Sequence, residues 1–282
     1  MGTLQYVWGI RRTKYGTKNL YSRMTLRFTC MLMLASVVQV TAQTKIKSIK
    51  VSDEITYATV DRPGELYITT SKGQIKRFDV EGNMVSEYNR DPITLFDPRD
   101  GARLFAYYRK DQHYAYLNPS FETTAVHTLD SSMVIEPWLA CASGDHNLWI
   151  FDAADKTLKR INVATSSIDA AIQLTDLTDL SALEYMREYQ GFLFLHHRDK
   201  GILVYSSMGR YLRSIGGKGV KSFNFIGEEL YYVENSKINL FNLFTTETRE
   251  LPLSGNFQFV LMTDERLYKI MGKTIEVLPP MH

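Results

Sequence analysis

The sequence predicts an all-β ring of six repeating units, each of four short strands, with the last unit closed by a strand from the N-terminal side of the chain. Three observations predict it. One dipeptide, Leu followed by an aromatic residue, recurs at Leu66-Tyr67, Leu104-Phe105, Leu148-Trp149, Leu193-Phe194, Leu230-Tyr231 and Leu267-Tyr268, at intervals of 38, 44, 45, 37 and 37 residues. An apolar residue followed by a small polar one trails the first five pairs by 11 to 13 residues, at Phe78-Asp79, Leu117-Asn118, Ile161-Asn162, Tyr205-Ser206 and Phe241-Asn242, and the sixth copy ends as Leu278-Pro279. Turn-forming residues cut each interval into runs of strand length. Repeats of about 40 residues with four strands each are the signature of β-propeller blades.

Each element follows from the same pattern. The first unit reads "ITYATV" (55–60), "LYITT" (66–70), "IKRFD" (75–79) and "MVSEY" (84–88), separated by Arg62-Pro63-Gly64, Ser71-Lys72-Gly73 and Glu81-Gly82-Asn83. β-Branched and aromatic residues fill these runs, as a pleated, half-buried surface prefers. The stretches "SKGQIKRFDVEGNMVSEY" (71–88) and "DKGILVYSSMGRYLRSI" (199–215) are the same strands of the first and fourth units. The last unit offers only "FQFVLM" (257–262), "RLYKI" (266–270) and "TIEVL" (274–278), while "KIKSIKV" (45–51) has no unit of its own. Pairing of 45–51 with 274–278 completes a six-bladed propeller of four-stranded blades over residues 45–279, a single domain, and removes an open sheet edge.

The residues before this domain read as a leader. "MTLRFTCMLMLASVVQVTA" (24–42) holds a basic residue, an apolar run from Phe28 to Val40 and the small-x-small site Val40-Thr41-Ala42. The pattern is that of a secretory signal peptide, within a leader over 1–42 that is cut before Gln43, and residues 1–23 are either a long basic n-region or lie ahead of a true start at Met24. Its apolar run of 13 residues is short of the about 20 that span a membrane, so the cleaved chain is not itself transmembrane. The expected location is outside the cytoplasm, in the periplasm or in association with the outer membrane. All six Lys/Arg of the leader go with it, which leaves 27 basic and 31 acidic side chains. A nucleic-acid partner, which needs a basic stripe, is therefore not expected. Cys30 falls in the leader and Cys141 stands alone in "WLACASG". That excludes a disulfide scaffold and marks Cys141 as a small buried strand residue.

The whole pattern resembles the six-bladed propellers of the NHL and related groups and the exported propellers of Bacteroidota, whose signal peptides the ending "VTAQ" also resembles. The resemblance implies a rigid disk used for binding more often than for catalysis. It carries over no catalytic residue.

Tested one by one, the local motifs stay structural. "GGKG" (216–219) lacks the spacing of a phosphate loop and reads as the connection into the fifth blade. "HHRD" (196–199) puts adjacent histidines on opposite faces of a strand and reads as a solvated strand end rather than a metal site. "TDLTDLSALEYMREY" (175–189) reads as one short helical turn before a strand, an insertion covering a blade. The Leu-aromatic pairs read as inter-blade core. No catalytic set, metal or cofactor is implied.

Function therefore has to sit on loops. The loops between second and third strands share a face with the blade-to-blade connections and carry Lys72, Lys110, His113, Arg198, Lys200, Asn235 and Lys237, with Arg90, Asp91, Asp176, Asp179 and Lys218 on the connections. The expected binding residues are Lys110, His113, Arg198 and Lys200, from two blades, facing a protein or cell-envelope partner rather than a small molecule. The leading expectation is a non-catalytic binding or scaffold module in the cell envelope. The alternative is a hydrolase, lactonase or lyase with its site at the mouth of the central channel.

Overall fold

A computed structural model describes Gly2 and residues 45–144, 146–174 and 179–281. The predicted leader and its cleavage point lie outside the described residues, as do Asp176 and Leu177. Blade 1 consists of β2 (Ile55–Val60), β3 (Leu66–Thr70), β4 (Ile75–Phe78) and β5 (Met84–Tyr88). Blade 2 is β6 (Leu95–Asp97), β7 (Leu104–Tyr108), β8 (His113–Leu117) and β9 (Thr123–Thr128), and blade 3 is β10 (Pro137–Ser143), β11 (Asn147–Asp152), β12 (Thr157–Asn162) and β13 (Ser167–Gln173). Blade 4 is β14 (Leu183–Tyr189), β15 (Phe192–His197), β16 (Gly201–Ser206) and β17 (Tyr211–Ile215), and blade 5 is β18 (Phe223–Ile226), β19 (Glu229–Glu234), β20 (Lys237–Asn242) and β21 (Thr248–Pro252). Blade 6 joins β22 (Phe259–Met262), β23 (Leu267–Met271) and β24 (Thr274–Leu278) to β1 (Lys47–Lys50).

All six sheets are four-stranded and antiparallel, and their first strands line the channel. Strand β10 packs on β6 and β14, β22 packs on β18 and β2, and shared apolar clusters join blade 1 to blade 2 and blade 4 to blade 5, so the ring is continuous. It closes as the sequence predicts. Strand β1 pairs with β24 in the register Lys47↔Val277 to Lys50↔Thr274. The Lys47 ammonium then reaches into blade 1 and donates to the carbonyls of Glu81 and Gly82.

The two sequence marks have separate physical causes. All twelve residues of the Leu-aromatic pairs are at most 2% exposed, which makes them core. They sit on the second strand of each blade, and the aromatic member often bonds to the blade that follows. The Trp149 indole donates to Glu188, Tyr231 Oη accepts from the Met262 amide at 2.9 Å, and Tyr268 Oη donates to the Gly64 carbonyl. The core is accordingly a set of apolar layers between neighbouring blades, such as Phe194 and Val204 of blade 4 against Phe223 and Phe225 of blade 5. The polar marks cap the turn between third and fourth strands. Asp79 accepts from the Asn83 amide, Asn118 from Ser120 and Glu122, Asn162 from Ala164 and Thr165, Ser206 from Arg210, and Asn242 from Phe244 and Thr245. Short polar side chains that mimic a backbone acceptor favour such turns.

Three local expectations meet the structure differently. "GGKG" is the connection between β17 and β18, as expected. The stretch before β14 forms one 3-10 turn, Leu180–Ala182, capped by Asp179, whose carboxylate accepts from the Ser181 amide. The histidine pair is a correction. His196 and His197 are 2% and 3% exposed, not a solvated strand end. His196 Nε2 lies 2.9 Å from the Val220 carbonyl, contributed by the connection into blade 5.

Candidate binding site

The channel is bridged from within by four polar side chains, one from each of four first strands. Arg187 of β14 places Nε 3.6 Å from Asp97 Oδ2 of β6. Its Nη1 donates to Asn224 Oδ1 of blade 5 at 2.8 Å, and Asn224 Nδ2 donates to Thr59 Oγ1 of β2 at 3.2 Å. None of the four is more than 4% exposed. Burial is the largest single influence and penalises the Arg187 charge, but the facing Asp97 carboxylate together with the surrounding tyrosines outweighs it, and the guanidinium pKa is raised.

Above this layer, on the side of the turns between first and second strands, opens a cavity of about 640 Å³. Asp97, Arg187 and Asn224 form its floor, Arg99 and Glu188 its walls, and Arg62, Asp100, Arg103 and Asp264 its rim. The wall and floor carboxylates are already engaged. Asp97 accepts from the Arg99 amide and faces the Arg99 and Arg187 guanidinium groups. Glu188 accepts from Ser143 Oγ and, at 2.8 Å, from Trp149 Nε1, while its carbonyl accepts from Arg99. Asp61, at the edge, accepts from the Glu65 amide and Tyr67 Oη, and burial raises its carboxyl pKa to about 6. The rim arginines Arg62 and Arg103 are exposed, and Arg103 lies over the Tyr116 ring at 4.6 Å.

The residues singled out from sequence stand elsewhere. Lys110 is exposed on the turn between β7 and β8, and His113 opens β8 stacked on Tyr108 at 4.5 Å. Arg198 and Lys200 share the turn between β15 and β16. Arg198 is tied down, donating to Glu184 Oε1 at 2.8 Å and to the Ser181 carbonyl at 2.9 Å. The structure thus brings together two pairs on blades 2 and 4, which blade 3 separates, and none of the four lines either mouth of the channel. The residues that sequence reasoning missed, Asp97, Arg99, Arg187, Glu188 and Asn224, left one signal. They are polar residues set within or just beyond the apolar first strands, in "LFD", "LEYMREY" and "FNFI". Among the described residues no three His, Cys, Asp or Glu side chains gather as a metal site. Cys141 is fully buried, and burial pushes its thiol pKa well up.

No protein-family model matches the chain, and the comparison with curated proteins finds no match. Among solved structures it is similar to the extracellular domain of a B. thetaiotaomicron protein described as a one component system, with 14% identity and a TM-score of 0.51 over 81% of this chain. This chain spans only 33% of that structure's length. It is also similar to a streptogramin B lyase, with 11% identity and a TM-score of 0.54 over 83% of this chain and 97% of the lyase. These likenesses are of fold, and the fold is the six-bladed β-propeller. Among the described residues no helix is long and apolar enough to cross a membrane.

Proposed function

We propose that this chain is a recognition module, exported by its leader, that holds a polar ligand in the 640 Å³ cavity at one mouth of the channel. The observation that carries the reading is the division of labour among the charges. Asp97 and Glu188 are spent on protein donors deep in the cavity, whereas the rim presents exposed charges of both signs, Arg62 and Arg103 beside Asp100, which lies 3.9 Å from Arg103, and Asp264. A cavity of this size falls within the range that holds a small molecule or a peptide end, and the exposed guanidinium groups of Arg62 and Arg103 offer donors to acceptors on the occupant. Proton-transfer chemistry at this mouth would ask a free carboxylate to move a proton. Those nearest the floor, Asp97 and Glu188, are bonded to protein donors.

Calorimetry against a panel of sugars, carboxylates and short peptides tests this. A ligand that binds the native protein is expected to lose about tenfold in affinity in the Arg62→Gln/Arg103→Gln variant, with an unchanged melting temperature. Undiminished binding in that variant overturns the assignment.

A protein or cell-envelope partner on the opposite face, through Lys110, His113, Arg198 and Lys200, forms a separate part of the proposal. Charges on exposed loops act mainly on encounter. Replacing all four together is expected to slow association with a partner captured by crosslinking in the native envelope and to reduce its salt dependence. Rates unchanged at low and high salt remove this surface.

A further inference from the structure

The other mouth of the channel has the opposite chemistry, and we infer that it is a second binding site, one that takes a small aromatic carboxylate. The inference does not depend on the reading of the polar cavity. This cavity is about 280 Å³, and none of its lining residues lines the larger one. The layer of Thr59, Asp97, Arg187 and Asn224 lies between Tyr57 and Tyr185 on this side and the polar mouth on the other.

Five aromatic side chains converge from the first strands of five blades: Tyr57, Phe96, Tyr185, Phe223 and Phe259. The three phenylalanines are each at most 5% exposed, and the two tyrosine rings lie tilted with centroids 5.5 Å apart. Exposed residues such as Thr56, Pro92, Thr94 and Lys221 surround the opening, so the aromatic walls are reached from solvent. Blades 1 and 4 each carry an irregularity in pairing just here, between Ile55 and Tyr57 and between Leu183 and Tyr185. A bulge re-aims the side chain that follows it, and in both blades that side chain is the tyrosine at the bottom of the cavity. An open concavity lined by aromatic rings is what a planar apolar ligand fills.

Two polar features set the rest of the ligand. Tyr185 Oη is buried at the bottom of the cavity and faces the Tyr57 hydroxyl, with no hydrogen bond of good geometry between them. Buried hydroxyls ordinarily have a partner, so an oxygen on the ligand's ring completes this one. The ionic groups of the lining are Glu184 and Lys221. Glu184 is held by Arg198 at 2.8 Å and faces His196 at 3.4 Å. Burial lowers the pKa of His196, which favours its neutral form. Lys221 is the remaining cation and stands at the rim. Rings inside, an oxygen towards Tyr185 and a carboxylate at Lys221 describe a hydroxylated aromatic acid. The volume lies just below the usual 300 Å³ or so of a drug-sized pocket, which limits it to one or two rings.

The probe is 6-hydroxy-2-naphthoate, titrated into the full-length protein by calorimetry, with 2-naphthoate, 2-naphthylmethanol and cyclohexanecarboxylate for comparison. Both naphthoates are expected to bind at one equivalent, the hydroxylated one more tightly, and cyclohexanecarboxylate at least tenfold more weakly. Lys221→Gln is expected to weaken the naphthoates about fivefold and leave 2-naphthylmethanol unchanged. Tyr185→Phe is expected to remove the advantage of the hydroxyl. Thr56→Trp, a change at an exposed rim position, is expected to block all of them. The inference is overturned if 6-hydroxy-2-naphthoate does not bind at millimolar concentration, or if its binding survives both Lys221→Gln and Thr56→Trp. It is equally overturned if binding is lost in Arg62→Gln/Arg103→Gln, which would put the carboxylate in the polar cavity.

Discussion

Arg187 of the fourth blade and Asp97 of the second meet across the channel, 3.6 Å from Nε to Oδ2, with neither more than 4% exposed. The pair is not symmetric. Asp97 also faces the Arg99 guanidinium at 3.6 Å, whereas among the described residues Asp97 is the one carboxylate paired with Arg187. Removing one partner of a buried pair leaves the other charge uncompensated, at a cost of about 3–5 kcal/mol. Asp97→Asn is therefore expected to destabilise by about 3 kcal/mol and Arg187→Met by about half as much. Urea unfolding of the two variants measures the order, and the reverse order would show that Arg187 is not the dependent partner.

Closure of the ring gives a second test. Deleting residues 45–51 removes β1, bares the β24 edge and is expected to lower the melting temperature and promote aggregation, read by calorimetry and size-exclusion chromatography. Gly82 couples to the same strand. Its φ is +76°, and a Cβ there would meet Ile49 Cδ1 at 2.8 Å. Gly82→Ala is expected to cost about 1–2 kcal/mol in the intact chain and measurably less in the truncated one, because Ile49 is gone.

The turn caps predict a periodic sensitivity. Asn162 Oδ1 accepts two amide protons, from Ala164 and Thr165. Asn162→Ala is expected to cost about 1 kcal/mol, and Asn162→Asp, which keeps the acceptor, close to nothing. Equal losses in the two variants, measured by urea midpoint, would mean that the side chain does not hold the turn.

Asp61 predicts a pH dependence. Its pKa rises from 3.8 to about 6 on folding, mainly through burial. A carboxyl whose folded pKa is raised binds its proton more tightly when folded, so its contribution is full below pH 3.8 and is lost as pH rises through about 6. The wild type is expected to lose about 2 kcal/mol from this group between pH 4 and pH 7. Asp61→Asn, which keeps an acceptor for the Glu65 amide, is expected to flatten that part of the curve. Parallel wild-type and variant stability curves between these pH values would refute the assignment.

The fold was legible because its marks are local and repeated. The Leu-aromatic pair occupies one position of every second strand, and Asp79, Asn118, Asn162, Ser206 and Asn242 cap one turn of their blades. The cavities were not legible because their residues break the repeat. Thr59, Asp97, Arg187 and Asn224 occupy first strands without a shared motif, and each acquires meaning from a partner between 37 and 165 residues away. Charged loops, the sequence's most visible polar feature, pointed to Lys110, His113, Arg198 and Lys200 instead. His196 is buried and meets the Val220 carbonyl, 24 residues on, in the connection into the next blade. No pattern in "HHRD" encodes that contact.

The clasp of the ring has a mechanical direction. Lys47 faces Val277 and Lys50 faces Thr274, so the chain enters β1 at the place where it leaves β24. A pull applied to these two neighbouring ends would load one pair at a time and peel the strands apart like a zipper, instead of shearing every bond at once. If both ends are held together at an anchor, little of that load reaches the clasp. If they are drawn apart, blade 6 is the first to yield, and the ring gives way at its seam while the other five blades still hold their four strands.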